Sequence, residues 1–304
     1  MNKEETGIQI PPYLKKGDKI GLISTARKIS RDELQQGIEL IESWGLEIVL
    51  GKHLFNSHHQ FSGKDDERTK DLQTMLDNPD VKAILCVRGG YGTVRIIDEI
   101  DFSQFQKKPK WLAGFSDITV LHSHIHKLNI ATLHSTMPIS FSSNTTEAVK
   151  SLKDSLLGMH SNVKIDHHPL NRFGKAKGQI VGGNLSILYS LIGSPSDLDT
   201  DEKILFLEDL DEYLYHMDRM MMSLKRNGKL SNLKGLIVGG LTQMNDNAVP
   251  FGKDAESIII DAISEYNYPV CFGFPAGHIK DNRALKMGVI AELKVDKQSS
   301  LNFE

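Results

Sequence analysis

Short apolar runs alternate along this chain with longer stretches whose apolar residues recur at helical spacing. Lys19 to Ser24 (KIGLIS), Leu46 to Leu50, Ala83 to Val87, Trp111 to Phe115 and Ala131 to Leu133 read as strands. Between and after them, Ser30 to Trp44, Lys64 to Asp77, the residues from Gly92 through Ile100, the stretch after Ser116 and Thr145 to Leu157 read as helices. Ser30 and Glu33 have the spacing of a capping box, Gly45 stops the first helix, and Asn78-Pro79 ends the second. In KWLAGFSDITVLHSHIHKLN (Lys110 to Asn129), the helix rests on Ile118, Leu121, His122 and Ile125. Strands alternating with helices predict an α/β fold with a parallel, doubly wound sheet and right-handed crossovers. Ligands of such sheets gather beyond the carboxyl ends of the strands. That edge carries two turns, Arg88-Gly89-Gly90-Tyr91-Gly92 and Gly114-Phe115-Ser116-Asp117.

From about Gly158 to Gly174 the helical periodicity stops. The polar run MHSNVKIDHHPLNRFG predicts a boundary between one domain over 1–160 and another over 175–304. In the second, Gly178 to Gly182 and Ile204 to Leu207 read as strands, followed by helices over Asn184 to Ile192 and over the Met-rich Tyr213 to Asn227. Leu236 to Val238, a helix over Asp254 to Tyr266, Val270 to Phe272 and a final strand near Val289 to Val295 complete it. The prediction is two compact α/β domains with the site in the cleft between them.

Composition removes several function classes. A net charge of −3 provides no electrostatic footprint for nucleic acid or an anionic membrane. The start, MNKEETGIQIPPYLKKGD, carries Glu4 and Glu5 and no apolar core of signal-peptide length. No apolar run approaches the roughly 20 residues of a membrane span. Cys86 and Cys271 lie inside apolar strand-like runs and read as buried free thiols, which fits a reducing compartment, the cytoplasm.

Ser116 sits where a strand ends and a helix begins. Free N–H groups and the positive dipole end of a helix suit a developing oxyanion there. The arrangement is that of a nucleophile elbow without the second glycine of G-x-S-x-G; the alternative is a serine that merely caps the helix. A serine nucleophile needs a base, and the base an orienting group. His278 follows the bend Gly273-Phe274-Pro275-Ala276-Gly277 and could be aimed into a cleft, or be a surface-loop histidine. His122 and His126 are one turn apart and could pair on a metal, but no further ligand completes that spacing, so they read as helix-face residues. Glu208 follows an apolar strand, where a charge needs a partner: either the base or a cation such as Arg219. Asp209, Asp211 and Glu212 read as solvated turn residues. The glycines of RGGYG could cradle a phosphate, although the P-loop and dinucleotide spacings are absent. Alternatively the N–H groups of Gly89 and Gly90, with that of Asp117, could form an oxyanion hole, and Arg88 could hold a substrate carboxylate.

Together GDKIGLIST, the second half of VRGGYG, GFSDIT, GQIVGGNLSIL, ILFLEDLDEYLYHMDR and GFPAGH resemble the LD-carboxypeptidase family of serine peptidases, which includes the microcin C self-immunity peptidases. They cover nearly the whole chain in order. The resemblance implies a flavodoxin-like N-terminal domain, a swivelling β/α C-terminal domain and a Ser-Glu-His triad of Ser116, Glu208 and His278 spanning both. It also implies no metal or organic cofactor, a homodimer, and release of the terminal D-alanine from a murein tetrapeptide in the cytosol. Two other functions compete with that reading. One is an immunity-type hydrolase of an aminoacyl-nucleotide antibiotic; the other is a flavodoxin-like binding protein with no chemistry.

Overall fold

The structure, a computed structural model, describes residues 7–159 and 162–303; Glu4 and Glu5 of the polar start lie outside them. The first half forms β1 (Lys19–Ile23), α1 (Arg31–Ser43), β2 (Glu47–Leu50), α2 (Asp65–Asp77), β3 (Val81–Cys86), α3 (Ser103–Lys107), β4 (Trp111–Gly114), α4 (Thr119–His126), β5 (Thr132–His134) and α5 (Thr146–Leu156). Its strands run parallel in the order β2-β1-β3-β4-β5. This is the parallel, doubly wound sheet the pattern predicts, in the flavodoxin-like form the family resemblance implies. Successive side chains of a strand face opposite ways. Ile20, Leu22, Ala83, Leu85 and Trp111 therefore pack in one core with Leu34 and Ile41 of α1 and Leu152 and Leu156 of α5. Ile23, Ile84, Cys86 and Leu112 pack in another with Leu72 and Met75 of α2 and Leu121 and Ile125 of α4. Burial on both faces is why these strands read as continuous apolar runs. The capping box of α1 forms as its spacing requires: Ser30 Oγ accepts the Glu33 N–H at 3.2 Å, and Glu33 Oε2 accepts the Ser30 N–H at 2.8 Å.

The second half continues with β6 (Asn162–Ile165), β7 (Gly174–Asn184), α6 (Leu185–Leu191), β8 (Ile204–Leu210), α7 (Leu214–Arg226), β9 (Gly235–Thr242), α8 (Ala255–Ala262), β10 (Val270–Cys271), β11 (Leu285–Met287), β12 (Ile290–Val295) and β13 (Ser299–Phe303). One sheet holds all of these strands except β11, in the order β10-β9-β8-β7-β12-β13-β6. Strands β10, β9, β8 and β7 are parallel, and β7, β12, β13 and β6 are antiparallel.

Three features depart from the pattern. The expected helix through Ile100 is two 3₁₀ turns, Thr93–Arg95 and Ile97–Glu99, because Gly92 enters at φ +149° and the Thr93 N–H is taken by a side chain. β7 begins at Gly174 instead of Gly178, since Gly174 to Gln179 pairs with β12 through a mostly polar stretch. β11, from the second half of the chain, pairs antiparallel with β5 and completes the edge of the first sheet. Cys86 and Cys271 are free and buried, as read. Among the described residues, no helix is long and apolar enough to cross a membrane.

Candidate active site

β4 ends at Gly114 (φ +153°), where a Cβ would come 2.9 Å from Ile118 Cγ1. Two residues on, Ser116 has φ +64°, the left-handed region that costs an ordinary L-residue roughly 1–2 kcal/mol. The chain then makes a 3₁₀ turn over Ser116–Ile118 and enters α4. Neither that turn nor α4 has a side-chain cap, so Ser116 does not serve as the capping residue of the simpler reading. Strand, strained serine and helix together make the geometry of a nucleophile elbow.

The RGGYG turn, after β3, lies against this elbow. A Cβ on Gly89 would stand 3.2 Å from Ser116 Cβ and 3.3 Å from Ser116 Oγ, so the turn's backbone passes close beside the serine. Among the described residues, the N–H groups of Gly89 and Gly90 donate to no backbone or side-chain acceptor. Asp117 ties the two turns together, its buried Oδ2 accepting the Thr93 N–H at 2.8 Å. Burial pushes the Asp117 carboxyl up, against the downward pull of its Thr93 and Gly92 hydrogen bonds and of Arg68.

Alternation along β8 assigns its two acidic residues to different neighbours. Ile204 and Phe206 face one core of the second half, Leu205 and Leu207 the other, so Glu208 continues the first face and Asp209 the second. The β8–β9 register shifts between Leu207 and Asp209, a bulge at Gly239-Gly240 of β9 that lets the loop after β10 come in. There Gly240 N–H donates to Ala276 O at 2.9 Å. Gly277 (φ +102°) presses on Glu208, and a Cβ on it would lie 2.7 Å from Oε2.

His278 follows immediately. Its backbone N–H at 3.1 Å and its Nδ1–H at 2.6 Å both donate to Glu208 Oε2, which fixes the tautomer and leaves Nε2 as an acceptor. Glu208 is fully buried, and its Oε1 has no partner among the described residues. Burial disfavours the charged imidazole. The Glu208 charge and hydrogen bond, with a smaller contribution from Asp209, outweigh it, so the pKa of His278 is raised. The His278 ring packs against Phe115, the residue before Ser116, with centroids 4.8 Å apart. Ser116 Oγ is not hydrogen-bonded to the ring in this resting arrangement, and proton transfer needs a closer approach, as is common before substrate binds.

The alternative partner for Glu208 does not engage it: the Arg219 guanidinium lies over Tyr215 at 5.3 Å. Glu212 is held elsewhere, its Oε2 accepting from His216 Nδ1 at 2.6 Å. Asp209 is buried, contrary to the solvated role expected of it, because the period of two turns it inward. It accepts from Asn184 Nδ2 at 2.8 Å and from the N–H groups of Ser186 and Leu210, each at 2.9 Å. Burial and then the Glu208 charge push its carboxyl up to about 7. Asn184 pairs with Glu208 in the β7–β8 register, and its N–H donates to Thr119 Oγ1 of α4 at 3.1 Å. A polar strut thus runs from the helix behind Ser116 to the strand bearing Glu208.

The remaining candidates occupy structural positions. His122 donates from Nε2 to Gly114 O at 2.9 Å and accepts at Nδ1 from Thr132 Oγ1 at 2.8 Å; burial pushes its pKa down to about 4. Arg88 is engaged by its neighbours, with Nη1 donating to Lys28 O at 3.1 Å and lying 3.7 Å from Glu33 Oε1. His134, not singled out from the sequence, is buried between Phe115 and Phe206. No sequence signal marked it, Thr119 or Asn184, although the capping role of Asn184 in GGNLS is readable as a helix start.

Residues 20–135 match the LD-carboxypeptidase N-terminal domain, and residues 177–293 its C-terminal domain. A probable murein peptide carboxypeptidase of Bacillus subtilis is 36% identical, with 96% of this chain and 93% of that protein aligned. A muramoyltetrapeptide carboxypeptidase from Oxalobacter formigenes superposes with a TM-score of 0.86 at 27% identity, over 94% of this chain and 98% of its own. The microcin C7 self-immunity protein of Escherichia coli is 24% identical, over 93% of this chain and 92% of that one.

Proposed function

Since the chain belongs to the LD-carboxypeptidase family, we propose that it is a serine carboxypeptidase acting on murein tetrapeptides, cutting the L-to-D bond and releasing D-alanine. The observation that carries the serine mechanism is the Glu208–His278 pair packed beside the elbow that bears Ser116. Ser116 Oγ attacks the carbonyl carbon of the third residue while its proton passes to His278 Nε2. The tetrahedral oxyanion is received by the N–H groups of Gly89, Gly90 and Asp117. His278 returns the proton to the nitrogen of D-alanine as the C–N bond breaks, and water then hydrolyses the acyl-serine by the same route reversed. Glu208 orients the imidazole and stabilises its cation. The reading carries with it a cytoplasmic homodimer that uses no metal or organic cofactor, as the family resemblance implies.

The test is release of D-alanine from a synthetic murein tetrapeptide by the purified protein. A pentapeptide ending in D-Ala-D-Ala should be a poor substrate, because its scissile bond lies one residue too deep. Absence of D-alanine release, or faster cleavage of an aminoacyl-sulfamoyl adenosine, would replace this reading with the immunity-type hydrolase or with a binding protein.

The pH profile follows from the pair. His278 must be neutral to act as a base, and its pKa is raised above the ordinary 6.5. The acid limb of kcat/KM is therefore expected at a midpoint above 6.5, and a limb below it would contradict the pairing. The same interaction stabilises the fold fully below the unfolded pKa of His278 and is lost as pH rises through the folded value. Across that window this contribution to stability falls while activity rises.

A further inference from the structure

We propose that Arg27 is the residue that reads the free carboxylate at the end of the substrate, an assignment that rests on the carboxypeptidase reading above. The carboxylate of a terminal residue lies about one residue spacing, roughly 3.8 Å, beyond the scissile carbonyl. Its reader must therefore border the turn that receives the oxyanion. Arg27 does so. Its backbone N–H donates to Gly89 O at 3.4 Å, and its carbonyl accepts from Ser24 Oγ at 2.7 Å, so the root of the side chain is fastened to the turn. Its stem runs across Gly90, where a Cβ would come 2.6 Å from Arg27 Cδ and 2.9 Å from Nε. A glycine at 90, with φ +113°, is what leaves room for it.

The other cations around this turn are occupied. Arg88 donates to Lys28 O, Arg68 to Thr25 O and Asp65, Arg95 to Asp65, and Lys28 to Ser57. Among the described residues, no carboxylate or carbonyl engages the exposed Arg27 guanidinium. A planar fork with free donors beside an oxyanion turn suits the two oxygens of a terminal carboxylate.

The assignment is tested with two substrates, the tetrapeptide acid and its C-terminal amide, against the wild type and the Arg27→Met, Arg27→Lys and Arg88→Met variants. The wild type should prefer the acid by about ten- to hundredfold in kcat/KM, the size of one charge-assisted hydrogen-bonded contact. Arg27→Met should lose that factor on the acid, chiefly through KM, and leave the amide nearly unchanged, so that the ratio falls to about one. Arg27→Lys should recover part of it, and Arg88→Met should keep the wild-type ratio. An unchanged ratio in Arg27→Met overturns the assignment while leaving the carboxypeptidase reading intact, as does a ratio that collapses in Arg88→Met instead. Failure of the wild type to release D-alanine from the acid overturns the reading itself.

Discussion

Replacing Ser116 by alanine is expected to lower kcat for tetrapeptide hydrolysis by about 10⁵- to 10⁶-fold while the protein melts within a degree or two of the wild type. The rate loss follows from removing the proposed nucleophile, since the remaining oxyanion donors and binding contacts cannot supply an acyl-enzyme route. Stability should hardly move, because Ser116 caps no helix and its hydroxyl bonds no described residue. A second substitution separates chemistry from fold. Ser116→Gly should be equally inactive yet more stable by about 1 kcal/mol, because glycine adopts φ +64° without the Cβ strain that serine bears. Single-turnover kinetics and thermal melts of both variants check the pair. Retained activity in purified Ser116→Ala would end the serine mechanism.

Glu208→Gln should cost about 10³- to 10⁴-fold in kcat/KM, whereas Glu212→Gln should stay within a few fold of the wild type. The two carboxylates differ in what they touch. Glu208 Oε2 receives both the ring and the backbone N–H of His278, while Glu212 is held by His216. Gln at 208 removes the negative charge and the charge-assisted bond that raise the imidazole pKa most, leaving burial, which lowers it, opposed only by the smaller pull of Asp209. The acid limb of the residual activity should consequently move to lower pH. A larger loss for the Glu212 variant, or a limb that does not move, would mean the orienting acid is elsewhere.

Much of this is legible in the sequence, for identifiable reasons. Strands buried on both faces announce themselves as apolar runs, and the turns after them hold the residues least suited to packing. RGGYG, GFSD, the acid after ILFL and the histidine after GFPAG therefore stood out. Short strands that alternate polar and apolar residues carry little signal, which is why β6, β11 and β13 escaped notice. Asp209 was misread because one charge after a strand looks like the next; only the period of two, carried past Leu207, sends Glu208 towards His278 and Asp209 under α6. Thr119 and Asn184 were invisible as a pair, since their contact joins positions 65 apart in the chain. Arg88 drew attention by adjacency to the glycines, whereas the guanidinium over Gly90 belongs to a residue on a different loop.

The pairing of β11 with β5 bears on the order in which the protein is made. A ribosome delivers the five parallel strands of the first sheet, together with the elbow of Ser116, long before it delivers Leu285–Met287. Until then Thr132–His134 presents an open strand edge, with unpaired backbone donors and acceptors ready to accept a strand from another chain. The nascent first half thus carries an aggregation hazard that ends only when nearly all of the chain has emerged. The proposed base, His278, arrives in that same last portion of synthesis, well after Glu208, so closing the edge and completing the proposed triad coincide. On the proposed mechanism, a truncated product released early would be both sticky and inert.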